Sequence, residues 1–125
     1  MRFLVITMFC FAAFQAGADV DCTTKTMIGE KRTEAKPVFK KTKDDKEVTS
    51  YETEVEGYIF TAIVRKSESP IIQQVGILDK SSNNRTVASF EGMKPEKPDA
   101  FLMAALANEK AKPPRFAKLT CQLKP

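Results

Sequence analysis

The 125-residue chain contains no histidine and no tryptophan, and only 5 of its residues are glycine. Without an imidazole, it cannot build a Ser-His-Asp or Cys-His nucleophile, a histidine general base or a histidine metal ligand. Few glycines and 7 prolines exclude collagen-like and low-complexity chains, and 42% hydrophobic residues with charges of both signs exclude a disordered one. One ordinary domain remains, in which the sequence identifies no catalytic residue, no cofactor site and no metal site.

An apolar run near the start of the chain predicts a signal peptide over residues 1–18. The run follows the basic Arg2 and ends in small residues at Ala16 and Ala18, the pattern of a cleavage site. It is shorter than the ~20 residues that a membrane-spanning helix needs. A retained interfacial helix or a core helix would leave the small residues unexplained. We therefore expect an exported mature domain over 19–125, periplasmic or secreted, without a stable membrane anchor.

Two cysteines remain after this cleavage, Cys22 and Cys121. Oxidising compartments favour one disulfide between them, and chain entropy suggests a stabilisation of about 4–5 kcal/mol for so long a loop. Free or intermolecular thiols are the alternative. Zinc is a poorer one, because two cysteines alone cannot complete a tetrahedral site. Both cysteines lie in the apolar register of alternating segments, so their strands should be adjacent or face each other across the core.

Most of the mature chain has the two-residue alternation of β-strands. It predicts a mainly β fold, an antiparallel β-sandwich or small barrel of about six to eight strands. Residues 58–64 are apolar in both registers, which predicts a central strand covered on both faces. The predicted strands span residues 19–26, 38–42, 48–55, 58–64, 71–78, 85–90 and 116–123. The predicted aromatic core comprises Phe39, Tyr51, Tyr58, Phe60, Phe90, Phe101 and Phe116.

One short helix is predicted before the last strand, over residues 100–110. Asp99 is a suitable N-cap, the segment is rich in alanine and leucine, and Pro113 follows its end. The alternative is a buried strand from Phe101 to Leu106, against which the absence of β-branched residues argues.

Carboxylates alternate along one predicted strand at Glu52, Glu54 and Glu56. Paired carboxylates can hydrolyse glycosides when a cleft holds them several ångströms apart. Here the alternation places them opposite the core, which favours an outer face. The aspartate pairs of the chain lack calcium-loop spacing, so no metal is expected.

Lysines concentrate in residues 36–46 and 110–125. Nucleic-acid binding would need aromatic residues between the charges for base stacking, and zone 36–46 offers only Phe39, which should pack inward. We expect no nucleic-acid partner, and interpret the zones as solvated faces or as a surface for anionic lipid or polysaccharide. Asn84 begins an Asn-Arg-Thr triplet in a predicted turn, a possible N-glycosylation site.

These observations favour a small, monomeric, non-enzymatic binding domain for a protein, lipid or glycan partner. A structural or assembly component of the cell envelope is the alternative, and a carboxylate-based hydrolase is a third. An exposed apolar patch would favour a macromolecular partner, a closed cavity a small apolar ligand, and a deep cleft with converging carboxylates an enzyme.

We predict that export ends with cleavage between Ala18 and Asp19, because small residues end and strand alternation begins at that point. Intact-mass measurement of the secreted or periplasmic product checks this. A mature start more than about three residues away, or a retained Met1, would contradict the signal-peptide interpretation.

Overall fold

The computed structural model describes residues 20–66, 70–89 and 101–123. Within these ranges the chain forms strands and no helix. The strands are β1 (Val20–Ile28), β2 (Lys31–Ala35), β3 (Lys40–Asp44), β4 (Val48–Val55), β5 (Tyr58–Arg65), β6 (Ile71–Asp79), β7 (Asn84–Ser89), β8 (Phe101–Asn108) and β9 (Arg115–Leu123). The predicted signal peptide and cleavage site, Phe90 and the predicted cap at Asp99 lie outside the described residues.

The strands form two antiparallel sheets that pack face to face. One sheet has the order β2-β1-β9-β8 and the other the order β3-β4-β5-β6-β7. Between the sheets, β6 contacts β8 and β9, and β7 contacts β8. This confirms the predicted mainly β fold and identifies it as a β-sandwich.

A tight turn sets the register of the central hairpin. Val55 pairs with Tyr58, so β4 and β5 are joined by Glu56 and Gly57 alone. Both turn residues have positive φ, 52° and 80°, as a type I′ turn requires. In this register Tyr58 and Phe60 point into the sandwich, where each is at most 1% exposed.

The two cysteines lie opposite each other on adjacent strands. Cys22 of β1 pairs with Cys121 of β9, the Cα atoms are 4.1 Å apart, and the Sγ atoms lie 2.11 Å apart. Both side chains are buried. Of the two arrangements that the alternation allowed, the chain adopts the adjacent one, which is compatible with the predicted disulfide across 99 residues.

The prediction of a helix over 100–110 is wrong. Strand β8 pairs with β9 along its whole length, from Phe101 opposite Gln122 to Asn108 opposite Arg115. Helix propensities differ by only a few tenths of a kcal/mol per residue, so strand pairing and the burial of Leu102 outweigh them. The alternative reading as a strand is correct even without β-branched residues.

The strand also reverses one core assignment. Alternation buries Leu102 and leaves Phe101 57% exposed, although Phe101 was expected in the core. Among the other predicted core aromatics, Phe116 is half-buried. The remaining described ones are buried: Phe39, Tyr51, Tyr58 and Phe60.

Two further expectations need correction. β2 was not predicted, because its five residues, Lys-Arg-Thr-Glu-Ala, include none that is buried and so show no hydrophobic alternation.

Strand β5 is central as expected, but only one of its faces is covered. The side chains of Ile59, Thr61 and Ile63 stay half-exposed, with no second layer over them among the described residues.

Replacing Phe60 should test the assignment of the faces. Phe60 is 0% exposed, so Phe60→Ala should lower the free energy of unfolding by about 3–5 kcal/mol. Glu54→Ala on the neighbouring strand should change it by about 0.5 kcal/mol or less, because Glu54 lies on the solvated face. Urea unfolding of the two variants measures both values, and equal effects would mean that the faces are reversed.

Candidate functional site

The outer face of the five-stranded sheet carries an open depression of about 250 Å³. It lies over β5 and β6, in the middle of the sheet. Its apolar part consists of Ile59, Leu78 and the 53% exposed Val87. The full lining comprises Glu52, Ile59, Thr61, Gln74, Gly76, Ile77, Leu78, Arg85 and Val87.

Gly76 of β6 has no side chain, so the side chains of the two neighbouring strands approach each other over it. It pairs with Thr61 on one side and Val87 on the other. A Cβ atom at this position would lie 2.8 Å from Thr61 Oγ1 and 3.4 Å from Val87 Cγ1, so a larger residue would push the walls apart. A glycine inside an apolar strand signals the close approach of neighbouring groups. This signal was not used to predict a site, and it is the sequence feature that could have located this one.

The two rims of the depression carry opposite charges. Glu52 stands on β4 and Arg85 on β7, three strand spacings apart and offset by two residues along the strands, so their Cα atoms are roughly 16 Å apart. Neither makes an ion pair with another described residue. The two unpaired charges flank an apolar centre and are available to a bound molecule.

The three glutamates of the predicted acidic row do not converge. Glu54 pairs with Lys80 at 3.1 Å. Glu56 lies in the turn and pairs with Lys31 of the other sheet at 3.4 Å, so the turn removes it from the expected face. Only Glu52 lines the depression. In the described ranges, no three acidic or cysteine side chains are grouped so that they could hold a metal ion.

The lysine-rich zone 36–46 contains acids that offset its charge. Ion pairs of 3.5 Å join Lys36 to Asp21, Lys41 to Asp44 and Lys43 to Asp45. Phe39 is buried, as expected.

Hydrogen bonds hold both aspartates of this zone in their charged form. A hydrogen bond from Lys66 has the largest effect on Asp44 and one from Thr49 the next largest, and both lower the pKa of Asp44 below its usual range. The backbone N–H groups of Val48 and Glu47 do the same for the pKa of Asp45.

The basic residues of zone 110–125 are divided between different surroundings. Arg115 turns toward a buried carboxylate on β6, whereas Lys118 lies on the outer face of the four-stranded sheet. Neither lysine-rich zone therefore forms a continuous cationic surface from its described residues.

A buried ion pair ties the two sheets together. Arg115 of β9 donates from Nε to Asp79 Oδ2 of β6 at 3.2 Å and from Nη2 to the carbonyl of Glu56 at 3.2 Å. Its guanidinium lies 4.8 Å from the centre of the Tyr58 ring. The residues come from three separate parts of the chain, and no sequence pattern indicated this contact.

Hydrogen bonds lower the pKa of Asp79 by more than burial raises it. Burial raises the pKa of a carboxyl group, but donors from Ser81 and then Arg115 hold the pKa of Asp79 below its usual range. Ser81 contributes its backbone N–H at 3.0 Å and its hydroxyl at 2.8 Å. Burial also raises the pKa of the Tyr58 phenol, which is neutral at physiological pH. Asp79 is thus a charged and fully bonded group inside the fold.

The chain matches no known protein family, curated protein or solved structure. In the part of the chain that the structure describes, no helix is long and apolar enough to span a membrane.

The predicted glycosylation residue lies near the depression. Asn84 is exposed at the start of β7, directly before Arg85. Asn83 precedes it with φ of 62°, the left-handed conformation expected for an asparagine in this turn. Glycosylation of Asn84 stays a prediction.

Removing Arg115 should destabilise the fold in a pH-dependent way. Arg115→Gln leaves the 1% exposed Asp79 without a counter-charge, which should cost about 3–5 kcal/mol at neutral pH. In the unsubstituted protein the pKa of Asp79 is depressed, so its stabilisation is complete above the unfolded value of about 3.9 and is lost as pH falls through the folded value. The unfolded value is common to both proteins, so the stability difference between them should shrink as the pH falls toward the lowered folded pKa of Asp79.

Urea unfolding at several pH values measures this difference, and the contributions of Asp44 and Asp45 cancel in the comparison. Lys80→Gln, which breaks an ion pair that is about half exposed, is the control and should cost about 1 kcal/mol or less at every pH. A difference for Arg115→Gln that stays constant with pH would contradict the role assigned to Asp79.

Proposed function

We propose that this protein is a small exported binding domain, without enzymatic activity, that holds a protein partner on the outer face of its five-stranded sheet. One observation carries the proposal. The residues Ile59, Leu78 and Val87 form an apolar centre that no described residue covers, between the opposite charges of Glu52 and Arg85. Segment 58–64 is apolar in both registers, and a bound partner would cover its outer register.

The chemistry of the depression favours a protein over the other partner classes. Its lining contains no aromatic residue, on which a sugar ring would stack, and it is too open to enclose an acyl chain. An apolar centre with charges at its rim is the usual composition of a protein interface. The closely placed cysteines and the predicted signal peptide support an exported location, where the partner would also be found.

Val87 and Val38 provide a matched test of this surface. Both valines are exposed, at 53% and 76%, but only Val87 lines the depression. In the experiment, a photo-crosslinking residue replaces either Val87 or Val38, and the mature protein is irradiated in its own compartment. A discrete cross-linked protein should form from position 87 and not from position 38.

The identified partner then permits a measurement of affinity. Val87→Asp should weaken binding at least about ten-fold, equivalent to about 1.4 kcal/mol, while Val38→Asp should leave it unchanged. Equal effects of the two variants would overturn the proposed surface. Glycoside turnover that Glu52→Gln abolishes would overturn the non-enzymatic assignment.

A further inference from the structure

Strand β8 ends the four-stranded sheet without protection. It is hydrogen-bonded to β9 on one side, and no described residue forms a strand on its other side. Its sequence, Phe-Leu-Met-Ala-Ala-Leu-Ala-Asn, contains no charge, proline or glycine. An edge of this kind presents a row of unpaired N–H and C=O groups on which another strand can pair.

The other edge strands have the opposite character. Charged residues interrupt each of them: Lys31, Arg32 and Glu34 on β2, Lys40, Lys41, Lys43 and Asp44 on β3, and Arg85 on β7. Such charges normally prevent sheets from joining edge to edge. The chain therefore protects three of the four edges formed by its described strands and leaves β8 open.

In place of the single copy expected from the sequence, we propose that two copies of this chain join through β8, antiparallel and about a two-fold axis, to form one continuous eight-stranded sheet. A two-fold axis perpendicular to the sheet keeps the outer faces of both copies on the same side. Residues that lie opposite each other must then point to the same face, so one residue of β8 has to lie at the axis and pair with its own copy. Ala104, near the middle of the strand, places Phe101 opposite Ala107 and Met103 opposite Ala105 of the second copy.

Side-chain size fits this self-pairing. On the outer face Phe101 and Met103 are 57% and 48% exposed, and the exposed Ala105 and Ala107 follow them along the strand. Antiparallel pairing lays the large side chains of one copy over the small ones of the other. On the inner face, Leu102 meets the half-buried Leu106 of the second copy.

Charge also selects β8 for pairing with itself. Self-pairing of β3 about Thr42 would place Lys41 opposite Lys43 of the second copy, whereas self-pairing of β8 brings no charges together. The charged edge of β2 at the far end of the sheet, with Lys31, Arg32 and Glu34, opposes further addition, so the assembly closes at two copies. The depression lies on the outer face of the five-stranded sheet, away from this seam, and stays free for the partner proposed above.

Sedimentation of the oxidised mature protein over a range of concentrations tests the proposal. The mass should shift from one copy to two as the concentration rises, and Met103→Lys should weaken dimerisation at least ten-fold by placing two ammonium groups near the axis. Adding Ala105→Glu to Met103→Lys should restore the dimer, because each new carboxylate then faces a new ammonium of the second copy. Val38→Lys, at an exposed valine outside the strand, is the control and should leave the dimer unchanged.

Near-ultraviolet circular dichroism shows whether each variant keeps its fold, and amide hydrogen exchange of β8 should slow with concentration only in the dimer-forming proteins. A single copy at every concentration would overturn the proposal, as would a dimer that Met103→Lys does not weaken or that the double variant does not restore. Cross-linking from position 87 in the Met103→Lys protein separates this test from that of the proposed function, because binding of the partner should survive the loss of the dimer.

Discussion

The pairing of the first described strand with the last is the constraint on which the rest of the fold depends. β1 and β9 pair over nine residue pairs, from Val20 opposite Leu123 to Ile28 opposite Arg115, and form the centre of the four-stranded sheet. The cysteines lie in the inner register of this pairing, two pairs from its Val20–Leu123 end. Because the two paired strands lie near opposite ends of the domain, all the strands between them in the chain belong to the loop that this pairing closes.

The same pairing positions the contact between the sheets. Arg115 is the residue of β9 that faces Ile28, and from this end of the strand its guanidinium reaches Asp79 on the other sheet. Contacts with the carbonyl of Glu56 and the ring of Tyr58 link it to the β4–β5 hairpin. The cysteine pair and the ion pair are therefore complementary: one links the two central strands of a sheet, and the other joins the two sheets at one end.

Two apolar surfaces formed by the described residues lie outside this core, and we propose a different occupant for each. The depression around Gly76 offers side chains without free backbone groups, as a folded partner surface requires. Strand β8 offers a free backbone edge with self-complementary side chains, as a second strand of the same kind requires. They lie on different sheets, so one molecule can use both at once.

Alternation alone predicted most of the strands with a buried face, the inward direction of Phe60 and the solvated direction of Glu52 and Glu54, because local periodicity reports which side is covered. It missed β8, whose buried face includes Leu102 and Ala104. It could not predict β2, which buries no side chain, or the exposure of Phe101, which depends on pairing with β9 rather than on the helix propensity of its neighbours. The site was equally hidden: Glu52, Gly76 and Arg85 are brought together only by strand order. Contacts between residues far apart in the chain are a property of tertiary pairing, and no local pattern contains them.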